Sequence, residues 1–159
     1  MNAVTYLDSP LGGMVIESSA TGVVSVQFGR KPKRRDDAST DAHKLGKTAA
    51  GELTAYLNGA LRRFSVPVDL SWTTPFLKDV YSALMTVPYG CTTSYAALAA
   101  SAGRFDAARA VGGAMAKNRA LIIVPCHRVI AASGRIGGWS GPEGLKERLH
   151  AIEGIGPLC

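Results

Sequence analysis

The sequence predicts an α/β protein in two parts. A small N-terminal α/β domain with a short antiparallel sheet occupies residues 1–68, a linker runs over 69–75, and a mainly helical C-terminal domain with a helix-turn-helix fills 76–159. Three observations predict this. Runs of β-forming residues fall before residue 30, helical periodicity dominates after residue 75, and a proline-bearing extended passage lies between them. The chain of 159 residues, 47% apolar and 19% charged, is long enough to bury about two-thirds of its unfolded surface, which excludes wholesale disorder.

Taken in order, "AVTYL" and "GMVIESS" flank the turn signal "DSPLG" and read as a hairpin, and "GVVSVQFG" supplies a third strand. "RKPKRRDDASTD" carries charge without periodicity. It reads as a solvated connector, with phosphate contact by Arg30, Lys31, Lys33, Arg34 and Arg35 as the alternative. From His43 to Asn58, Leu45, Ala49, Leu53 and Leu57 recur at helical spacing and Asn58-Gly59 stops the helix. Thr74 caps the next helix with Pro75 in its first position, and Phe76, Val80, Leu84 and Val87 form its apolar stripe. Ser94 and Asp106 are expected N-caps of two short helices separated by Gly103, a helix-turn-helix. A last helix is expected to start at Pro142, show Leu145, Leu149 and Ile152 on one side, and end at Gly154.

A formal charge of +6 and a pI near 9.5 favour polyanionic partners without requiring them. No stretch approaches the roughly 20 apolar residues of a membrane span, and "MNAVTYLDSPLGG" has no signal-peptide pattern. Cysteines at 91, 126 and 159 are odd in number and lack CxxC spacing, an argument against a disulfide framework or zinc cluster and for a reducing cytoplasm.

The chemistry concentrates in "ALIIVPCHRVIAASG", residues 120–134. Cys126 reads in three ways: a small buried residue, a metal ligand, or a nucleophile. His43, His150, Cys91 and Cys159 lack metal-site spacing, which disfavours the ligand reading. A free thiol is only about 3% ionised at neutral pH, so a nucleophile needs a base. His127 stands next to it, and a carboxylate such as Glu153 would orient that base. Neighbouring side chains diverge on strand or helix, so a bridging water is the natural link between Cys126 and His127. Within the second helix of the helix-turn-helix, Gly112-Gly113 costs roughly 1 kcal/mol per glycine relative to alanine. Close helix packing explains the pair, and so does a thin face of Arg109, Ala110, Gly113 and Ala114 entering a DNA groove, with Arg109 reaching between bases.

"PCHRV" at 125–129, "RAVGGAM" at 109–115, Asn118, "TSYAALA" at 93–99 and "GGWSG" at 137–141 occur together and in order. This set closely resembles the O6-alkylguanine-DNA alkyltransferases (methylated-DNA–protein-cysteine methyltransferases). The match is strong over 76–154, with "SPLGG" and "FSVPVDL" as weaker agreement upstream. The resemblance implies a ribonuclease H-like N-terminal domain and a winged helix-turn-helix, and stoichiometric, self-inactivating transfer of an alkyl group from O6-alkylguanine to Cys126 after minor-groove binding and nucleotide flipping. It implies a Glu153–His127–water–Cys126 network, Asn118 as hinge, Arg109 as the finger replacing the flipped nucleotide, and Tyr95 against the flipped base as donor to O6. Thr93, Ser94, Ala110, Gly113 and Ala114 would meet DNA. The Val129 and Cys126 carbonyls and the Ser140 amide would read the guanine edge, with Met115 and Trp139 lining the pocket and Arg128 fixing the turn. The implied partner is double-stranded DNA carrying O6-alkylguanine, with no membrane, no metal and no cofactor. The expected state is a cytoplasmic monomer, nucleoid-associated when on DNA. Cooperative loading, O4-alkylthymine as substrate and the preferred alkyl size stay open. Trp139 departs from the family's usual tyrosine, and the N-terminal half lacks the Cys and His set that holds zinc in some members. Alkyltransferase-like binding proteins replace the cysteine, a helix-turn-helix regulator would need a further domain, and a cysteine hydrolase would need an oxyanion-hole motif.

Overall fold

The structure, a computed structural model, describes residues 2–33, 37–131 and 142–155. The chain divides into two compact units, Met1–Trp72 and Thr73–Cys159.

In the first unit three strands, β1 (Ala3–Ser9), β2 (Gly12–Ser18) and β3 (Val23–Phe28), form an antiparallel sheet in the order β1-β2-β3. Gly12 closes the β1–β2 turn at φ 115°, a conformation that a side chain would strain. The period of two along β2 turns Met14, Ile16 and Ser18 inward, where α1 (Thr40–Leu57) covers them. Ser18 Oγ donates to the Ala42 carbonyl at 2.7 Å, which satisfies the buried hydroxyl.

Helix α1 starts three residues before the expected His43, because the Ser39 hydroxyl caps the Ala42 amide at 3.2 Å. Its buried stripe is Ala42, Gly46, Ala49, Leu53 and Tyr56, so Leu45 and Leu57 lie at the margin rather than the centre. The rotation follows from Gly46: a side chain there would collide with Thr5, and the helix rests on the sheet at that point. Each large apolar side chain fully buried here, such as Leu53, contributes about 1.5–3 kcal/mol. Beyond Asn58, the chain returns beside β3 through an isolated parallel bridge between Val23 and Val68.

The second unit opens with α2 (Pro75–Leu84), capped by Thr74 through the Leu77 amide at 3.2 Å. Leu77, Val80, Tyr81 and Leu84 face its core, while Phe76 is half-buried beneath the Arg104 guanidinium and Val87 lies past the helix end. A two-residue strand β4 (Thr93–Ser94) leads directly into α3 (Tyr95–Ser101). The following turn carries Gly103 at φ 70° and gives way to α4 (Ala108–Ala116), completing the helix-turn-helix. Asp106 does not cap α4 as its residue type predicts. It sits at φ 66°, Ala107 takes the cap position, and no side chain bonds the helix end.

After a 3-10 turn at Cys126–Arg128, β5 (Val129–Ile130) pairs in parallel with β4, Thr93 opposite Val129 and Ser94 opposite Ile130. The last helix, α5 (Leu145–Glu153), begins three residues later than Pro142, on Gly144 at φ 78°, and ends on Gly154 at φ 64°. Its inward face is Leu145, Lys146, Leu149 and Glu153, with Ile152 only half-buried. Among the described residues no helix is long and apolar enough to cross a membrane. Cys91 is disulfide-bonded, which corrects the expectation of a chain without disulfides, and Cys126 is the free cysteine among the described residues.

Candidate active site

The site is built by the passage from the end of α4 to β5. Leu121, Ile122, Ile123 and Val124 are all buried, and their burial holds Ile122 at φ 74°. A β-branched residue rarely adopts that conformation, which costs about 1–3 kcal/mol and persists only where surrounding packing imposes it. Asn118 braces the same loop from inside. Its Oδ1 accepts from the Ala120 amide at 3.0 Å, and its Nδ2 donates to the Val124 carbonyl at 2.9 Å and to Cys126 Sγ at 3.2 Å. The side-chain amide therefore ties the start of the loop to the sulfur at its end.

Successive side chains on a 3-10 turn are about 120° apart, so Cys126, His127 and Arg128 leave the turn in different directions. The His127 ring reaches α5, where Nε2 meets Glu153 Oε2 at 2.5 Å. Arg128 grips the same carboxylate, with Nε on Oε1 at 2.9 Å and Nη2 on Oε2 at 3.1 Å, while Nη1 donates to the Val87 carbonyl at 2.8 Å. The Gly90 amide adds a fourth donor to Glu153 Oε1 at 3.1 Å. Four donors on a buried carboxylate fix its ionised form, because each bond is stronger to the anion than to the acid.

Burial drives the remaining electrostatics. The Cys126 thiol is fully buried, and burial pushes it up to about 11, against the Asn118 hydrogen bond and the Lys146 charge, which both pull it down. Burial also lowers His127 below its ordinary value, opposed by Glu153. At neutral pH the imidazole is therefore uncharged; with Nε2–H pointing at the carboxylate, Nδ1 keeps a lone pair and is the basic nitrogen. Burial raises Tyr95, and the nearby Cys126 raises it further. Tyr81 is raised for the same two reasons, with its hydroxyl donating to the Ala114 carbonyl at 2.7 Å.

Two family models match the chain. The 6-O-methylguanine DNA methyltransferase ribonuclease-like domain matches residues 3–70, and the DNA binding domain of the same methyltransferase matches residues 75–155. The chain belongs to the 6-O-methylguanine DNA methyltransferase family. Among its relatives, the methylated-DNA–protein-cysteine methyltransferase of Methanosarcina acetivorans is 36% identical, over 92% of this chain and 95% of its own. The one from Mycobacterium leprae is 36% identical, over 92% and 88%. The structure of Mycobacterium tuberculosis OGT in complex with DNA superposes with a TM-score of 0.79 at 37% identity, covering 93% of this chain and 90% of that one.

For this member of the methyltransferase family, the expected residues fall as follows. Cys126, His127, Glu153, Asn118, Val129 and Met115 are all buried in the C-terminal unit. Tyr95, at the start of α3, lies against Gly112 of α4, where a side chain would come into ordinary contact with its ring. Gly113 faces open space, and Arg109 and Ala110 are exposed beside it. Helix packing thus does not require Gly113. Ala114 corrects the expectation of a DNA-facing residue, because it is 1% exposed and turns into the core. Thr93 and Ser94 are half-buried in β4, with Ser94 also capping α3 through the Ala97 amide at 3.0 Å. Trp139 and Ser140 lie outside the described residues, as do Arg34, Arg35 and Cys159. Among the described residues no group of three His, Cys, Asp or Glu side chains is placed to hold a metal.

Sequence reasoning missed three contributors. Tyr81 resembles any core tyrosine, and nothing in its neighbourhood of sequence marks it. His150 Nε2 contacts the His127 carbonyl at 2.5 Å, and Lys146 Nζ donates to the Val129 carbonyl at 2.7 Å. A signal for these two was present: Lys146, His150 and Glu153 are spaced by four and three, which places three titratable side chains on one face of a helix.

Proposed function

We propose that this protein repairs O6-alkylated guanine in double-stranded DNA by moving the alkyl group to its own Cys126, once per molecule, as a methylated-DNA–protein-cysteine methyltransferase. The observation that carries the reading is a buried thiol held by Asn118 beside a neutral imidazole locked onto Glu153. In this reading His127 Nδ1 takes the thiol proton through a pocket water. The sulfur attacks the alkyl carbon, the S–C bond forms, and the C–O6 bond breaks. Guanine leaves as the neutral base, taking up a proton in exchange, with the Tyr95 hydroxyl as hydrogen-bond donor to O6. A thioether is not hydrolysed, so the protein is consumed.

A base inside a duplex is out of reach of a fully buried sulfur, so the nucleotide must leave the stack, at a cost of a few kcal/mol. Arg109 enters the gap, the exposed Ala110–Gly113 face of α4 follows the groove, and Thr93 and Ser94 meet the backbone. The net positive charge supplies sequence-independent affinity for phosphate. The Val129 and Cys126 carbonyls and the Ser140 amide read the guanine edge, and Met115 and Trp139 shape the pocket. The protein works as a monomer in the cytoplasm.

Incubation with a duplex carrying O6-methylguanine should raise the intact-protein mass by one methyl, localised to Cys126, and Cys126→Ser should abolish the gain. Methanol release with many turnovers, or a methyl on another residue, sinks the reading. Arg109→Ala should slow repair of duplex DNA more than reaction with free O6-benzylguanine.

A further inference from the structure

Among the described residues two large apolar side chains are exposed, Met85 at 37% and Phe105 at 74%. A single exposed apolar residue is ordinary on a protein surface, but the place of Phe105 is not. It stands in the turn between α3 and α4, ahead of Arg109 and inside the span matched by the DNA binding domain. That turn is pinned on both sides of the ring. The Arg104 amide donates to the Ala99 carbonyl at 2.8 Å, and the Ala107 amide donates to the Arg104 carbonyl at 3.1 Å. The Arg104 guanidinium lies over the Phe76 ring, 5.6 Å from its centroid, and bonds Asp79 Oδ2 at 3.0 Å. The backbone that carries Phe105 is thus already ordered, and little further ordering opposes contact with a partner. Charge decides the kind of contact. The Arg104 cation is matched by Asp79, and Asp106 beside the ring is an exposed acid. The turn therefore offers phosphate no net positive charge, and what it offers instead is the ring. Arg109 and Ala110, exposed in the first turn of α4, continue the surface, and no side chain bonds the start of that helix.

We propose that Phe105 is an apolar DNA contact, its ring entering the minor groove beside Arg109 and packing on the sugars and base edges next to the extruded nucleotide. The inference rests on the duplex-binding reading above, since only a bound duplex brings a groove to this turn. Removing a nucleotide from the stack uncovers apolar base faces, and one guanidinium covers only part of them. Phenylalanine is among the side chains that wedge against base steps from the minor groove. The exposed Asp106 carboxylate repels phosphate, which directs the turn toward the groove floor rather than the backbone. A ring packed on sugars and bases displaces no counterions, so it adds affinity that salt does not remove. The net positive charge of the chain supplies the salt-sensitive share, and Phe105 supplies a share of the other kind.

Salt separates the two shares. Affinity for a labelled duplex carrying O6-methylguanine is measured by fluorescence anisotropy over a series of salt concentrations, in a Cys126→Ser background so that no alkyl group is transferred. Phe105→Ala should weaken binding by about tenfold at every salt concentration, within the range of losing one aromatic–base contact. Its plot of log affinity against log salt should run parallel to that of the parent, whereas loss of a phosphate-contacting cation reduces the slope by about one. Phe105→Tyr keeps a ring and should stay near the parent. The urea midpoint of Phe105→Ala should match the parent, because the ring lies outside the core. Parent affinity in Phe105→Ala, a slope altered by about one, or an equal loss in Phe105→Tyr overturns the proposal. A parent that dimerises without DNA and is made monomeric by Phe105→Ala, in sedimentation, also overturns it, by assigning the ring to a second copy of the chain. Failure of the parent itself to bind the duplex would remove the duplex-binding reading. Normal binding by the parent with an unmoved Phe105→Ala would remove only the role of Phe105.

Discussion

Replacing Glu153 by Gln removes one charge and converts one acceptor atom into a donor, in the place where four donors converge. With the amide oxygen in the Oε1 position, it still accepts from Arg128 Nε at 2.9 Å and Gly90 N at 3.1 Å. The amide nitrogen then confronts Arg128 Nη2 at 3.1 Å, a donor–donor contact, and meets His127 Nε2 at 2.5 Å either as a second such contact or by forcing the ring proton onto Nδ1. Flipping the amide only moves the conflict to Arg128 Nε and Gly90. Either way a guanidinium that is 8% exposed loses its anion. Breaking a buried pair from one side costs about 3–5 kcal/mol. At roughly 2–4 °C per kcal/mol for a chain of this size, the apparent Tm should fall by about 6–20 °C. Without the carboxylate, His127 loses the group that opposes the effect of burial, and its preferred tautomer is lost. Methyl transfer should then slow by about a hundredfold or more, within the range of a misdirected general base. Thermal unfolding followed by circular dichroism, and transfer followed by intact mass, test the two halves. A Tm within about 2 °C of the parent, or an unchanged transfer rate in a folded variant, would refute the view that Glu153 organises this site.

Gly113→Ala should leave the fold intact and raise stability by up to about 1 kcal/mol, because the added methyl meets open space in a helix. Its affinity for duplex DNA, measured at fixed salt, should fall; unchanged affinity would separate this face of α4 from DNA. Tyr81→Phe should cost about 1 kcal/mol in urea unfolding, since the Ala114 carbonyl keeps its bond from the Lys117 amide. Stability should also peak between the two perturbed titrations. His127 is depressed in the fold, so its contribution is complete above 6.5 and is lost as pH falls. Cys126 is raised, so its contribution is complete below 9.0 and is lost as pH climbs toward about 11. Urea midpoints across pH read both limbs, and Cys126→Ala should flatten the alkaline one.

The strands and the order of helices were legible because their signals are local: alternation in "MVIES", Thr74-Pro75 at a helix start, Ser94 before an alanine-rich run. Where a choice depended on a distant surface, the reading slipped. The stripe of α1 is rotated by the close approach of Gly46 to Thr5, which no periodicity within the helix reveals. Asp106 has the residue type of a cap, but the turn after Gly103 places it in a left-handed conformation, away from the cap position. Within the site, the adjacent Cys126 and His127 were visible and their divergence followed from backbone geometry. Ala114 was misjudged because a face of small residues looks alike from both sides of a helix. Lys146 escaped notice because lysine is read as a surface residue until a structure closes over it.

The sulfur of Cys126 has no exposed surface and a thiol that resists ionisation at neutral pH. In a molecule that can react only once, these two properties act as discrimination in time. A soluble electrophile diffusing past meets no exposed sulfur and a thiol that burial favours in its protonated form, which slows background alkylation of the single equivalent. Reactivity arises only when an occupant of the pocket brings its alkyl carbon to the sulfur and gives the departing proton somewhere to go. The unreactive resting state is thus a form of substrate selection, set by solvation rather than by shape.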